Sequence, residues 1–161
     1  MSELKVGTGF DVHRFSAGKP LVLGGVEIPF PQGLAGHSDA DVLTHSVCDA
    51  LLGAAGLGDI GHHFPDTDDQ YKGISSLLLL GKVIEKTRRE GLRPVNVDVT
   101  LISEQPRIAP YIEEMKRNLQ EKLGTASQIN IKATTTEGLG WIGRGEGIAC
   151  MAVCLMEKLN P

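Results

Sequence analysis

A two-layer α+β fold, with a mixed and mainly four-stranded sheet, a β-hairpin and helices packed on one face, is the architecture this chain of 161 residues should adopt. Three observations lead to it. Segments of period-2 alternation are interleaved with segments whose apolar residues recur every three or four positions, and each helical segment is apolar along one side only. Hydrophobic residues make up 41% and charged residues 22%, so the chain can bury a core, and its length suits one domain over residues 1–161. No apolar run approaches the roughly 20 residues that a membrane helix needs.

The first strand is read from Leu4, Val6, Phe10 and Val12 alternating with Lys5, Gly7, Gly9, Asp11 and His13, which puts Asp11 and His13 on one face. Residues 21–23 and 26–30 flank Gly24 and Gly25, a two-residue hairpin signal. A helix should start at Ser38 or Asp39 as N-cap and run to about Ala55, with Val47, Leu51 and Ala54 on its apolar side and Asp41, His45 and Asp49 along another. Residues 56–73 show no period and read as a structureless loop. A second helix is expected from Ser75 or Ser76 to Glu90, stopped by Gly91. Pro94 then starts a strand with Val95, Val97, Val99 and Leu101 inward. A third helix follows Pro110 through Leu123, with Tyr111, Met115 and Leu119 for burial. Two strands, 129–135 and 148–156, close the chain around a glycine-rich segment.

With 16 basic against 20 acidic residues the net charge is −4, and no Lys/Arg run is present. A nucleic-acid groove or an anionic membrane surface is therefore a poor target, whereas a small anionic ligand needs only a few placed cations. The amino-terminal residues lack a signal-peptide pattern, so a soluble, cytoplasmic protein is expected. Cys48, Cys150 and Cys154 form no disulfide framework, which suits a reducing compartment. Cys150 and Cys154 lie about 13 Å apart along a strand, too far to share an ion, and read as core.

Two biases stand out. All five histidines (His13, His37, His45, His62, His63) precede residue 64, and eight aspartates fall between Asp11 and Asp69. Asp11, His13 and His45 amount to two imidazoles and one carboxylate, the ligand number of a catalytic zinc site with an open position, with Asp41 or Asp49 as orienting partners of His45. The alternative is a His45 simply paired with Asp41 or Asp49 and a solvated Asp11 and His13. His62 and His63 are neighbours that point apart, which favours a surface loop.

The second bias is 20 glycines, where average usage gives about 11. Gly138, Gly140 and Gly143 match the dinucleotide pattern G-x-G-x-x-G, but the required helix and later acidic residue do not follow. Instead Lys132, Thr134, Thr135, Thr136, Glu137 and Arg144 offer hydroxyl and cationic donors with one carboxylate. That mixture suits phosphate oxygens with a hard cation such as Mg²⁺ held by Glu137; a Thr-rich strand end with a flexible turn is the plainer reading.

Gly9-Phe10-Asp11-Val12-His13, Leu23-Gly24-Gly25-Val26, His37-Ser38-Asp39-Ala40-Asp41-Val42, Gly58-Asp59-Ile60-Gly61, Phe64-Pro65-Asp66-Thr67-Asp68, Asn96-Val97-Asp98-Val99-Thr100 and Lys132-Ala133-Thr134-Thr135-Thr136-Glu137, with Gly143-Arg144-Gly145-Glu146-Gly147, occur in this order. Together they make the chain resemble, nearly end to end, the 2-C-methyl-D-erythritol 2,4-cyclodiphosphate synthase family. The resemblance implies Zn²⁺ on Asp11, His13 and His45, and Mg²⁺ or Mn²⁺ near Glu137. It implies that His37 and Thr135 stabilise the transition state. Asp11, His13, Ser38, Asp59, Ile60, Gly61, Phe64, Pro65, Asp66, Thr67 and Asp68 would hold the methylerythritol phosphate end. Ser103, Glu104, Gln105, Pro106, Arg107, Ile108 and Ala109, with Thr134, Thr136 and Glu137, would form the cytidine and phosphate pocket, and Trp141 and Arg144 would contact substrate. Trp141 and Ile142 stand where Phe and Thr are expected.

The resemblance also implies a homotrimer with its sheets facing the threefold axis, sites between subunits, and an axial channel lined by Phe10, Arg144 and Glu146 that could hold an isoprenoid diphosphate. The implied substrate is a cytidine diphosphate compound whose own 2-phosphate attacks the β-phosphorus and expels CMP. A zinc phosphohydrolase that activates water, and a non-catalytic metal-dependent nucleotide-binding module, are the competing readings.

Overall fold

The computed structural model describes residues 3–125 and 127–159. A five-stranded sheet has the order β4 (Gly33–Leu34), β1 (Leu4–Ser16), β7 (Gly147–Lys158), β5 (Leu92–Ile102), β6 (Gln128–Thr134). Only β5 and β6 pair in parallel, so the sheet is mixed as expected. The fifth strand, β4, adds just two residues at the edge beside Phe15 and Ser16. The expected hairpin, β2 (Leu21–Leu23) and β3 (Val26–Ile28), forms its own ribbon around Gly24 and Gly25, both at positive φ as its tight turn requires.

Helix α1 (Val42–Ala55) lies on β1 and β7 because their inner side chains are small. Gly7, Gly9, Cys150, Ala152 and Cys154 form a shallow trough in which β1 and β7 pair Gly7 with Cys154 and Gly9 with Ala152. A Cβ on Gly9 would stand 1.9 Å from the Ser46 carbonyl oxygen, and one on Gly7 would stand 2.0 Å from that of Ala50. Cys150 and Cys154 are buried free thiols in contact with Ser46 Oγ and the Ala50 carbonyl, core residues as read. Helices α3 (Ser76–Arg89) and α4 (Ile112–Leu123) complete the layer, with Leu80, Met115 and Leu119 fully buried.

Several boundaries differ from expectation for identifiable reasons. α1 starts at Val42 with Asp41 as N-cap, not at Ser38 or Asp39, because Ala40 has φ 56° and cannot be helical. Asp41 is fully buried and also accepts the Gly24 and Gly25 amides at 2.9 and 2.8 Å, tying the hairpin to the helix start. β5 begins at Leu92, and a register shift between Pro94 and Asn96 takes Val95 out of the inward series. Residues 56–73 are not structureless. They contain α2 (Ile60–His63) and a 3-10 turn over Asp69–Tyr71, organised by side-chain caps and by an edge-on Phe64–Tyr71 pair. The glycine segment includes a one-turn helix, α5 (Gly140–Gly143), but β7 then runs antiparallel to both its neighbours, so no parallel dinucleotide-binding unit exists there.

The opposite sheet face carries no helix among the described residues. Val6 and Phe10 of β1 are 65% and 58% exposed, and Met151 and Val153 of β7 are also open to solvent. The band turns polar at β5 and β6, where Asp98 meets Asn130 and Lys132.

Candidate active site

Asp11 and His13 face the helix layer from β1, and α1 brings His45 to them. Asp11 Oδ2 is 3.0 Å from His13 Nε2 and 3.1 Å from His45 Nδ1, and the two ring nitrogens are 3.2 Å apart. Donors on one tetrahedral ion, with bonds of about 2.0–2.1 Å, stand about 3.3 Å apart. His13 Nδ1 lies 2.6 Å from the Ala35 carbonyl oxygen, which accepts its proton and leaves Nε2 with a lone pair. His45 Nε2 is engaged by Ser38 Oγ at 3.1 Å and Ser76 Oγ at 2.9 Å, which leaves Nδ1 for the cluster. Three lone pairs thus converge on one point, a donor set that fits a divalent cation.

The electrostatics agree. Burial acts to raise the Asp11 carboxyl, but the hydrogen bonds and charges of His13 and His45 outweigh it and hold the group well below the usual carboxylate range. Burial acts to lower the His13 imidazole, yet Asp11 outweighs it with help from the Ala35 carbonyl, and the group sits above its ordinary value. A site that retains a proton on an imidazole is one where positive charge is favoured.

Neither Asp41 nor Asp49 orients His45. Asp41 is spent on the hairpin and on Thr44, and Asp49 accepts the Ile60 amide at 2.7 Å. That bond fastens Asp59, Ile60 and Gly61 to α1 one turn beyond His45. The residues that hold His45 are Ser38 and Ser76, the latter gripped by Asp39. Ser76 reads in the sequence only as a helix start, so its partner could not be seen there.

A cavity of about 460 Å³ opens beside the triad between Lys19, His37, Ser38, Asp39 and Lys72. His37 contacts the Asp68 carbonyl through Nε2 at 3.3 Å, which brings the segment of Phe64, Pro65, Asp66, Thr67 and Asp68 to its rim. Lys19 and Lys72, neither of them singled out by any motif, give this cavity two cations. His62 is exposed on α2, while His63 meets the Leu57 carbonyl at 2.7 Å, away from the triad.

A second cleft, of about 270 Å³, is lined by Ser103, Glu104, Gln105, Pro106, Arg107, Ile108 and Ala109 against Ala133, Thr134 and Thr135. The family resemblance implies one pocket from Ser103 to Ala109 and Thr134 to Glu137; the cleft lining includes Thr134 and Thr135 but not Thr136 or Glu137. The Glu104 carboxylate accepts from Thr136 N and Oγ1 at 2.8 and 3.1 Å, bonds that hold it below its ordinary pKa and clamp the Thr-rich loop. Glu137 is exposed at φ 54°, braced by a bond from its amide to Thr135 Oγ1. A single carboxylate suits Mg²⁺ that takes its other ligands from water and phosphate. Trp141 is half-buried, Ile142 buried, and Arg144 is paired with Glu146 at 2.6 Å.

The registers set the two clefts at the same end of the sheet. His13 lies opposite Ile148, and Ile102 lies opposite both Ala149 and Thr134, so the C-terminal ends of β1, β5 and β6 are level. Laterally, β1 and β6 are three strand spacings apart, roughly 14 Å. Within one chain, Glu137 does not join the donor cluster of Asp11, His13 and His45 among the described residues.

Known proteins with this sequence and fold are close. The 2-C-methyl-D-erythritol 2,4-cyclodiphosphate synthase of Syntrophomonas wolfei is 58% identical over 156 residues, covering 96% of this chain and 99% of that protein. The protein of the same name from Pelotomaculum thermopropionicum is 57% identical, with 96% of each chain covered. Among solved structures, the bifunctional IspDF of Campylobacter jejuni matches with a TM-score of 0.94 and 43% identity, over 99% of this chain and 44% of that one. IspF of Plasmodium falciparum in complex with CDP matches with a TM-score of 0.85 and 32% identity, over 98% of this chain and 97% of that one. The YgbB family profile spans residues 4–157, which takes in the donor cluster, both clefts and all of the sheet but the last residue of β7, and the chain belongs to the YgbB family.

Proposed function

We propose that the chain cyclises 4-diphosphocytidyl-2-C-methyl-D-erythritol 2-phosphate to 2-C-methyl-D-erythritol 2,4-cyclodiphosphate with release of CMP, as a metal-dependent phosphorus–oxygen lyase of the non-mevalonate isoprenoid pathway. The observation that carries this reading is the convergence of Asp11, His13 and His45 lone pairs beside a lysine-flanked cavity, in a chain 58% identical to a synthase of that name. Its cellular setting is proposed to be the cytoplasm, in keeping with three free, buried thiols.

The chemistry follows from charge. A phosphate monoester has a second pKa of about 6 and is largely dianionic at neutral pH, so the nucleophile needs no strong base. The barrier lies in bringing two anions together, which calls for positioning and charge compensation. Asp11, His13 and His45 would hold Zn²⁺, and Glu137 would hold Mg²⁺ or Mn²⁺. When bound, the ions supply positive charge that polarises and orients phosphate oxygens. The chain's own groups do the rest. Lys19 and Lys72 offset the charge of the methylerythritol phosphate end, and Ser38 Oγ donates to it. His37 and Thr135 donate hydrogen bonds to oxygens that gain charge. The cleft from Ser103 to Ala109, with Thr134 to Glu137, holds the cytidine. An oxygen of the 2-phosphate bonds to the β-phosphorus as the bond from that phosphorus to the bridging oxygen breaks, and CMP departs with that oxygen.

The proposed assembly is a homotrimer whose sheets face the threefold axis. Two features support it. Asp11 and His13 on β1 and Thr135 just past β6 must serve one diphosphate, yet the ends of those strands lie roughly 14 Å apart in one chain, a gap that a neighbouring copy closes. The exposed Val6, Phe10, Met151 and Val153 lie on one face of the paired strands β1 and β7, an apolar face that another copy of the chain would cover. An isoprenoid diphosphate in the axial channel, lined by Phe10, Arg144 and Glu146, belongs to the same reading.

The test is incubation with the diphosphocytidyl substrate, Zn²⁺ and Mg²⁺ in ¹⁸O-labelled water. CMP and cyclic diphosphate should appear in equal amounts without label. No CMP at saturating metal would favour a binding module, and label in phosphate a hydrolase. His45→Ala should lose zinc and cyclisation while the trimer survives, and Thr135→Ala should slow the single-turnover rate by about 10²-fold.

A further inference from the structure

We propose that Asp39 and Ser76 are positioning residues for the metal centre, fixing His45 in the tautomer that presents Nδ1 to the ion. The proposal rests on the reading of Asp11, His13 and His45 as metal ligands. Two hydroxyls reach His45 Nε2, and they are not equivalent. Ser38 Oγ, at 3.1 Å, accepts the Ala40 amide at 3.2 Å and lies at the wall of the 460 Å³ cavity. Its proton is free to turn towards a ligand. Ser76 is fully buried on the first turn of α3, and its Oγ lies 2.9 Å from the same nitrogen.

The proton of Ser76 is committed. Its hydroxyl donates to Asp39 Oδ1 while its amide donates to Asp39 Oδ2 at 2.9 Å, and the Asp41 amide further pins Oδ1 at 3.2 Å. A hydroxyl that has given its proton to a carboxylate can offer its other neighbour only a lone pair. Nε2 of His45 must then carry hydrogen, and Nδ1 must carry the lone pair that faces Asp11 and His13. Donation runs from His45 Nε2–H to Ser76 Oγ and from Ser76 Oγ–H to Asp39. This is the carboxylate–imidazole–metal arrangement with a serine interposed. The division of labour explains the duplication, since Ser76 keeps the imidazole oriented when Ser38 turns to a phosphate oxygen. It also couples the N-terminus of α3 to the site, because the carboxylate that caps the helix is the one that orients Ser76.

The test uses the full chain stripped of metal, with Zn²⁺ affinity read by competition with a chromophoric chelator and Co²⁺ uptake by its visible spectrum. Ser76→Ala and Asp39→Asn should each weaken Zn²⁺ binding by about 10–100-fold and alter the Co²⁺ bands. In Asp39→Asn a single acceptor oxygen faces two Ser76 donors, so a weakened site is expected even where the fold is unchanged. Ser76→Thr, which keeps the hydroxyl, should restore affinity to within a few-fold. Ser38→Ala should leave Zn²⁺ affinity close to wild type while raising the KM for substrate. A merely structural role would lower the melting temperature of stripped Ser76→Ala without moving affinity or spectrum well below that temperature, and that result overturns the proposal. Wild-type affinity in both Ser76→Ala and Asp39→Asn overturns it as well. A wild-type chain that takes up neither ion overturns the metal reading beneath it.

Discussion

Replacing Gly9 by alanine should pull His45 away from Asp11 and His13 without touching any of the three. The new Cβ would stand 1.9 Å from the Ser46 carbonyl oxygen and 2.9 Å from the Ala50 amide nitrogen, both backbone atoms of α1. Ordinary contact begins at 3.4 Å, so strand and helix must part by about 1.5 Å. Ser46 follows His45 directly, and the imidazole travels with it. Metal–ligand distances tolerate about ±0.2 Å, so Nδ1 leaves bonding range. The zinc-affinity loss should therefore exceed the 10–100-fold typical of an orienting partner. Overpacking costs about 1–3 kcal/mol, and rigid backbone on both sides puts this case at the upper end. For a domain of this size about 3 kcal/mol lowers Tm by about 6–12 °C. Thermal unfolding of the metal-stripped protein and chelator competition measure the two effects separately. Gly53→Ala is the control. It lies on the same helix, its Cβ would meet only the Thr8 carbonyl at 3.8 Å, and helix propensity favours alanine by about 1 kcal/mol. Its Tm should rise by about 2–4 °C. A Gly9→Ala protein with zinc affinity within threefold and Tm within 2 °C of wild type (~1 kcal/mol or less) would refute the reasoning.

Burial pushes the Cys150 thiol up to about 12 and Cys154 to about 11, and raises Cys48 as well, so the folded protein should resist alkylation at pH 8 and expose all three thiols only in denaturant. One thiol reacting at the free rate in the native state would contradict the packing of α1 on β7. In the metal-stripped protein, the raised His13 pKa means that its protonated form stabilises the fold below the ordinary imidazole value, an effect lost as pH rises through the folded value. Tm of the stripped protein should fall as pH rises from the ordinary imidazole value through the raised one, and His13→Gln should flatten that slope. Val6→Asp, on the open sheet face, should yield monomers where light scattering of the wild type gives a trimer; a monomeric wild type would remove the assembly from the proposal.

What the sequence made legible was whatever depends on neighbours along the chain. Strand alternation put Asp11 and His13 on one face, Gly24 and Gly25 marked their turn, and Met115 and Leu119 marked the buried side of α4. The stretch from 56 to 73 carried no period because caps and one aromatic pair organise it, not a buried stripe. Asp41 and Asp49 looked like partners of His45 from their i, i+4 spacing, but buried or partly buried amides of the hairpin and of α2 compete for them and win. A backbone N–H shut away from water must find an acceptor, and a carboxylate one turn from an imidazole is no closer to it than to such an amide. Of the two serines that do reach His45, Ser76 is 31 residues distant and arrives only when α3 docks.

The alternation of β1 also states more than a strand. From Leu4 to Val12 its large apolar residues and its glycines occupy opposite faces, and the helix layer takes the glycine face. A sheet that spent its bulk on its own helices would show the reverse. Close approach on the glycine face brings a helix residue and two strand residues near enough to share the proposed ion, since a Cβ layer between α1 and β1 would hold His45 too far away. The same choice leaves Val6 and Phe10 without cover in a single chain. Building the metal site from backbone contact therefore displaces the apolar residues of β1 to the far face, and burying them there calls for other copies of the chain. The site and the proposed assembly are consequences of one pattern, which is why Gly9→Ala and Val6→Asp should separate them: the first should cost the metal and spare the trimer, the second should cost the trimer and leave zinc bound.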